Sequence, residues 1–160
     1  MKGHTSTIII LLLVFTTGFT TAAHSSYTYS YTTVDYPEAT DTWVRGVNNA
    51  DHIAATYRDA AGEVRGFVFD GLQSYTSLDY AAWDLNDSNH IVFRDGFFYD
   101  GTSYTQLSFP EGTRTLTYAT GINNTGQIVG YYRPGPIYYA IYGYVYDAGT
   151  YNRIQYPGSD

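Results

Sequence analysis

One short motif recurs three times in this chain and narrows what it can fold into. It reads Gly46-Val47-Asn48-Asn49-Ala50-Asp51-His52-Ile53-Ala54, then Asp84-Leu85-Asn86-Asp87-Ser88-Asn89-His90-Ile91-Val92, then Gly121-Ile122-Asn123-Asn124-Thr125-Gly126-Gln127-Ile128-Val129. In each copy a tight Asn-rich turn separates two apolar runs. Asn and Gly tolerate the positive φ that a hairpin turn demands, so the motif reads as strand, turn, strand. The turn asparagines lie 38 residues apart (48 to 86) and then 37 (86 to 123). Repeats of about 20–50 residues mark solenoids and propellers.

Two further strands accompany each hairpin. Apolar runs ending in an Asp-Gly or Asp-Ala-Gly turn follow at Arg65–Gly71, Asp95–Gly101 and Tyr142–Gly149. A Tyr-led strand recurs at Tyr31–Pro37, Tyr75–Tyr80, Tyr104–Pro110 and Tyr151–Pro157. Taking that strand as the opening of each unit gives units 31–74, 75–103 and 104–150, with a further copy starting over 151–160. Taking it instead as an outer strand gives blades at about Trp43–Tyr80, Ala81–Pro110 and Leu116–Pro157. No segment has helical periodicity. The expected fold is all-β: about three four-stranded antiparallel repeat units, a partial β-propeller. Propellers use about four to eight blades, so three units point to a homo-oligomer completing a ring or stack, or to a fragment of a longer repeat array.

Alternation sets the faces. Phe67 and Phe69, Phe97 and Tyr99, and Tyr144 and Tyr146 point one way from their strands, while Val68, Phe98 and Val145 point the other. Apolar residues on both faces place these strands between packed sheets.

The N-terminus supplies an address. Met1-Lys2-Gly3-His4 is followed by the apolar run Ile8–Phe15 and the small residues Thr21-Ala22-Ala23. This is the form of a cleavable secretory signal over residues 1–23, too short to span a bilayer. The mature chain would start near His24, cover 24–160 as one β-repeat domain, and carry no membrane span. It would keep seven Arg and fifteen acidic residues, a net charge of −8. An acidic chain without a basic patch argues against nucleic acid. The 19 Tyr and the 18% aromatic content describe a folded, strand-rich, tyrosine-rich protein. The absence of cysteine excludes disulfides, thiolate metal sites and a cysteine nucleophile.

Residues with catalytic chemistry read as structural. His52 and His90 share one repeat position, where the third copy has Gln127; a catalytic base is rarely duplicated in register. Asp70, Asp100 and Asp147 stand in closing turns, where Asp caps its own backbone. No pair of carboxylates is singled out for glycoside hydrolysis, and no nucleophile elbow, phosphate-binding loop or dinucleotide fingerprint is present. Asp51, Asp87 and Asn89 lack the calcium-loop spacing. The reading is no catalytic residue, no cofactor and no metal. Asn86-Asp87-Ser88 and Asn123-Asn124-Thr125 match the glycosylation sequon, but inside the repeat's own turn. A ligand surface is expected at the longest loop, Arg133–Ala140, from Tyr131, Tyr132, Arg133, Tyr138 and Tyr139, since aromatics with few charges suit a sugar ring or a protein partner.

The Asp-Tyr-Pro start, the Gly-Ile-Asn-Asn-x-Gly-x-Ile-Val-Gly-x-Tyr hairpin and the Gly-Phe/Tyr run before an Asp-Gly turn resemble the HAF-type extracellular repeat family. The resemblance covers Tyr31–Asp160 and is sharpest at Gly121–Tyr132; Asp84 and Asn89 replace the glycines of 121 and 126 in the middle copy. It implies a secreted, propeller-like β repeat and brings no catalytic residues. The function expected is a secreted, non-catalytic extracellular or cell-surface binding or structural module, with itself or an extracellular glycan or protein as partner. The alternatives are an extracellular carbohydrate-active enzyme and a truncated piece of a longer repeat protein.

Overall fold

The three Asn turns share one geometry in the computed structural model, which describes residues 9–10, 27–111, 115–135, 140–155 and 157–158. The Asn48 carbonyl accepts from the Asp51 amide at 3.1 Å, and the Asn48 amide donates to the His52 carbonyl at 3.0 Å. The same pair of bonds closes the turns at Asn86 and Asn123. The fourth turn residue is left-handed each time, with φ of 60° at Asp51, 59° at Asn89 and 85° at Gly126. This is the three-residue hairpin loop, a turn followed by one left-handed residue. Asp and Asn tolerate that conformation, so the middle copy keeps the turn without the glycine.

The chain divides into two units, Met1–Val34 and Asp35–Asp160. In the first, β1 (Ile9–Ile10) pairs antiparallel with β2 (Tyr27–Thr28). The rest of the expected signal segment lies outside the described residues.

The second unit holds three four-stranded antiparallel sheets, each a meander in chain order. The first comprises β3 (Asp41–Val47), β4 (Ile53–Arg58), β5 (Val64–Phe69) and β6 (Tyr75–Leu78). The second comprises β7 (Ala82–Leu85), β8 (Ile91–Phe93), β9 (Phe97–Tyr99) and β10 (Tyr104–Gln106). The third comprises β11 (Leu116–Ile122), β12 (Ile128–Arg133), β13 (Tyr142–Asp147) and β14 (Thr150–Ile154). The fold is all-β, a propeller-like arrangement that does not close into a ring among the described residues. The Tyr-led strand closes each sheet instead of opening the next unit: β6 pairs with β5, β10 with β9 and β14 with β13. Tyr31–Tyr36, expected to open the first unit, forms no strand. It precedes β3, whereas each Tyr-led strand that does form pairs with the closing strand just before it.

Every first strand carries a bulge at the same place. The register shifts between Val44 and Gly46, between Ala82 and Asp84, and between Ala119 and Gly121. The extra residues, Arg45, Trp83 and Thr120, therefore leave the ladder and bend the strand. Asp84 stands where the other copies have Gly46 and Gly121. Its carboxylate accepts from the Ile122 amide at 3.0 Å and lies 2.6 Å from where a Cβ on Gly46 would sit. The middle copy's departure from glycine thus ties its bulge to the third sheet and fills the space beside Gly46 of the first.

The core has two parts. Between the first and second sheets, Ala54, Val68 and Leu78 meet Ala82, Leu85, Ile91 and Phe93; between the second and third, Val92, Phe98 and Leu107 meet Ala119, Ile122 and Ile128. The other part is aromatic. Tyr36, Tyr80 and Phe109 leave the preceding segment and stack on the next sheet, on Tyr57 at 3.9 Å, Phe97 at 4.3 Å and Tyr132 at 3.8 Å. Stacked rings of this kind add about 0.5–1.5 kcal/mol to the burial of their area.

Candidate functional site

The turns that carry the repeat also tie the sheets together. Asn48 Oδ1 accepts from the amides of Ala50 and His52, both at 3.0 Å, and its Nδ2 donates to the Asn86 carbonyl at 3.1 Å. Asn86 repeats this with Ser88, His90 and the Asn123 carbonyl. Asn123 bonds Thr125 and Gln127 in the same way, but its Nδ2 turns back to Gln127 Oε1 at 2.9 Å. A second row runs alongside: Asp87 accepts from Asn49 at 2.9 and 2.8 Å and from Asn124 at 2.7 Å, and its amide donates to Asn124 Oδ1. These donors, led by the Asn49 amide, hold the Asp87 carboxyl below the ordinary carboxylate range. Asn86 is a poor glycosylation acceptor in the folded chain, being buried with its amide engaged; Asn123 is exposed.

The carboxylates and imidazoles of interest are spent on structure. Asp70 Oδ1 accepts from the amides of Leu72, Gln73 and Ser74, and Asp100 Oδ1 from those of Thr102 and Ser103. Both carboxyls are lowered by these bonds, foremost those from Ser74 and Ser103. His52 Nδ1 is 2.8 Å from Asn89 Oδ1, and His90 packs edge-on against Phe98. No group of three or more His, Asp or Glu side chains is placed to hold a metal ion among the described residues. Among the described residues there is no helix long and apolar enough to cross a membrane.

The residues expected to form a ligand surface part company. Tyr131 stacks on Tyr118 at 4.7 Å, and the Arg133 guanidinium lies 5.7 Å from the Tyr118 ring centre. Tyr132 is in the core, not on the surface. It stacks on Phe109, and its hydroxyl donates to the Glu111 carboxylate. Burial first, and that carboxylate second, push its pKa up to about 12. The cause is alternation: adjacent strand residues face opposite ways, so Tyr131 and Tyr132 cannot share a surface. Tyr138 and Tyr139 lie outside the described residues.

A stronger site forms elsewhere. A cleft of about 260 Å³ is lined by Trp43, Arg45, Arg58, Trp83 and Arg94, with Thr56, Val64 and Ala81 completing it. Both tryptophans of the chain are here. The guanidinium carbons of Arg45 and Arg94 lie 4.3 and 5.6 Å from the Trp83 ring centre, and that of Arg58 lies 5.6 Å from Trp43. The bulge puts Arg45 and Trp83 off their ladders at equivalent points of adjacent sheets. The stack of Arg58 on Trp43 recurs as Arg133 on Tyr118. The middle copy has Ala81 where the others have Trp43 and Tyr118, and its second strand ends at Phe93, before any counterpart of Arg58; the small Ala81 side chain lines the cleft.

The cleft lining contains three cations and no carboxylate. Arg58 is paired with Asp41 at 3.4 Å, but Arg45 and Arg94 have no acidic partner among the described residues. Arginines steadied against indole faces are pre-set to receive an anion. Sequence reading missed this site because its members come from two separate copies and match no motif. The doubled Arg–aromatic stack was the available signal. No family model, curated protein or solved structure matches the chain.

Proposed function

We propose that this chain is a secreted, non-catalytic β-repeat module that binds an acidic saccharide outside the cell, through the cleft between Trp43 and Trp83. One observation carries the reading: in a chain with net charge −7, three arginines and both tryptophans converge on one cleft lined by no carboxylate. Guanidiniums recognise carboxylate or sulfate groups bidentately, and indoles accept the apolar face of a sugar ring. The signal-like N-terminus and the resemblance to HAF-type repeats support an extracellular address. The engagement of His52, Asp70, Asp87 and Asp100 in turns supports a binding role over catalysis.

The test uses the two tryptophans as reporters, since both line the cleft. Titration with oligogalacturonate should change the emission, neutral oligoglucan should not, and added salt should weaken the response. Arg45→Ala and Arg94→Ala should each weaken binding by about tenfold. No emission change at millimolar acidic saccharide would remove this reading. Sustained hydrolysis of a polysaccharide, lost on substitution of one Asp or Glu, would replace it with an extracellular carbohydrate-active enzyme.

A further inference from the structure

The chain builds the same sheet-on-sheet interface twice, and it leaves the two halves of a third copy exposed at its ends. The face that a sheet offers to the next one is made from its second, third and fourth strands. In the first two sheets this face holds Leu78 and Leu107, which are 5% and 3% exposed. The equivalent residue of the third sheet, Ile154, is 54% exposed. Val129 follows suit: its counterparts Ala54 and Val92 are fully buried, while it is open to solvent. Gly143 adds a steric mark. A Cβ at its counterparts Gly66 and Gly96 would collide with backbone of the following segment, at Tyr80 and Ala82 and at Thr117, but at Gly143 it would meet only ordinary contacts within its own sheet, with Ile154 and the Gly130 carbonyl.

The receiving half lies on the first sheet. Its Val47 is 64% exposed, whereas the equivalent Leu85 is 4% exposed beneath the first sheet. Val44 is also exposed where Ala82 and Ala119 are fully buried. The polar row matches too. Asn48 and Asn86 each donate an amide to the next turn's Asn carbonyl, and Asn123 has no such acceptor among the described residues. The one feature missing from each half is the other half.

We propose that the face of the third sheet bearing Val129, Gly143 and Ile154 docks onto the face of the first sheet bearing Val44 and Val47 in a second copy of this chain. The contact is head-to-tail, and it continues the row of asparagine bonds from Asn123 to the second copy's turn at Asn48. Head-to-tail contacts close into rings or extend into stacks. Two copies supply six sheets, within the range of about four to eight blades that propellers use. The interface is apolar between two acidic chains, so salt favours it while weakening the binding of an anion in the cleft.

Light scattering coupled to gel filtration of the secreted chain, at about 10–100 μM, is expected to give at least twice the monomer mass. Ile154→Asp and Val47→Asp should each weaken association at least about tenfold, with cooperative unfolding retained because both side chains are more than half exposed. Val129→Glu, on the same face as Ile154, replaces Ile154→Asp if that variant does not fold. An equimolar mixture of the Ile154→Asp and Val47→Asp chains should restore a one-to-one dimer, since each keeps the face that the other lacks. A monomeric wild type, an oligomer whose mass neither variant changes, or a mixture that stays monomeric would overturn the proposal.

Discussion

Replacing Asn86 by Ala should cost far more stability than the same change at Asn123, although the two residues occupy one motif position. At Asn86 the substitution removes the acceptor of the Ser88 and His90 amides, both at 3.0 Å, and the donor to the Asn123 carbonyl at 3.1 Å. The side chain is buried between two turns. A hydrogen bond contributes about 1 kcal/mol, and a buried partner left without one costs about 1–3 kcal/mol. The expected loss is about 3 kcal/mol. At Asn123 the matching bonds, to Thr125 at 3.1 Å and Gln127 at 2.9 Å, lie at the exposed surface, where water replaces them. The loss there is about 1 kcal/mol. Turn propensity and the lost turn bonds are common to both variants, so the difference of about 2 kcal/mol isolates the bond between sheets and its burial. At roughly 4 °C per kcal/mol for a domain of this size, the two melting temperatures should differ by about 8 °C. Asn86→Asp keeps the turn acceptor and sets a carboxylate oxygen against the Asn123 carbonyl, so it should fall near the alanine variant. Urea denaturation of the three variants and the wild type measures the series. Equal losses at 86 and 123, or an Asn86→Asp variant as stable as wild type, would refute the inter-sheet role of the amide.

Gly66→Ala should destabilise by more than about 3 kcal/mol, because its Cβ would collide with backbone at Tyr80 and Ala82. Gly126→Val should lose only about 1–3 kcal/mol, since its cost is the left-handed φ of 85° in open space; a calorimetric ranking in the opposite order would contradict both assignments. The Tyr132 phenol is raised from 10.0 to about 12 and the Tyr144 phenol is raised further by burial, so the stability they contribute is complete below pH 10 and is lost as pH climbs through about 12. Absorbance at 295 nm should show these two tyrosines ionising only with unfolding, and Tyr132→Phe should flatten the fall of melting temperature over that window; tyrosines that all titrate together near pH 10 would rule this out. Secreted material should begin at or near His24, and mass spectrometry that finds Met1 or Lys2 in the mature chain would exclude a cleaved signal.

Much of this fold is decided within a few residues of the chain. The Asn turns close on bonds between residues three and four apart, and the alternation of Phe67, Val68 and Phe69 is a property of one strand. Such features are legible wherever they occur, so the three hairpins, their period and the all-β class could be read directly. The Tyr-led strand was ambiguous because pairing, not composition, assigns it to the preceding sheet. Tyr131 and Tyr132 show the same limit: alternation requires one to face inward, but only the Phe109 ring, arriving from outside the strand, selects Tyr132. The amide bond from Asn48 to Asn86 and the stack of Arg45 on Trp83 join residues 38 apart in sequence. Their distances depend on how sheets stack, which the buried faces around Leu85 and Ile128 set collectively. Local hydrogen bonding determined the repeat, whereas non-local burial decided which repeated side chains became core, tie or site.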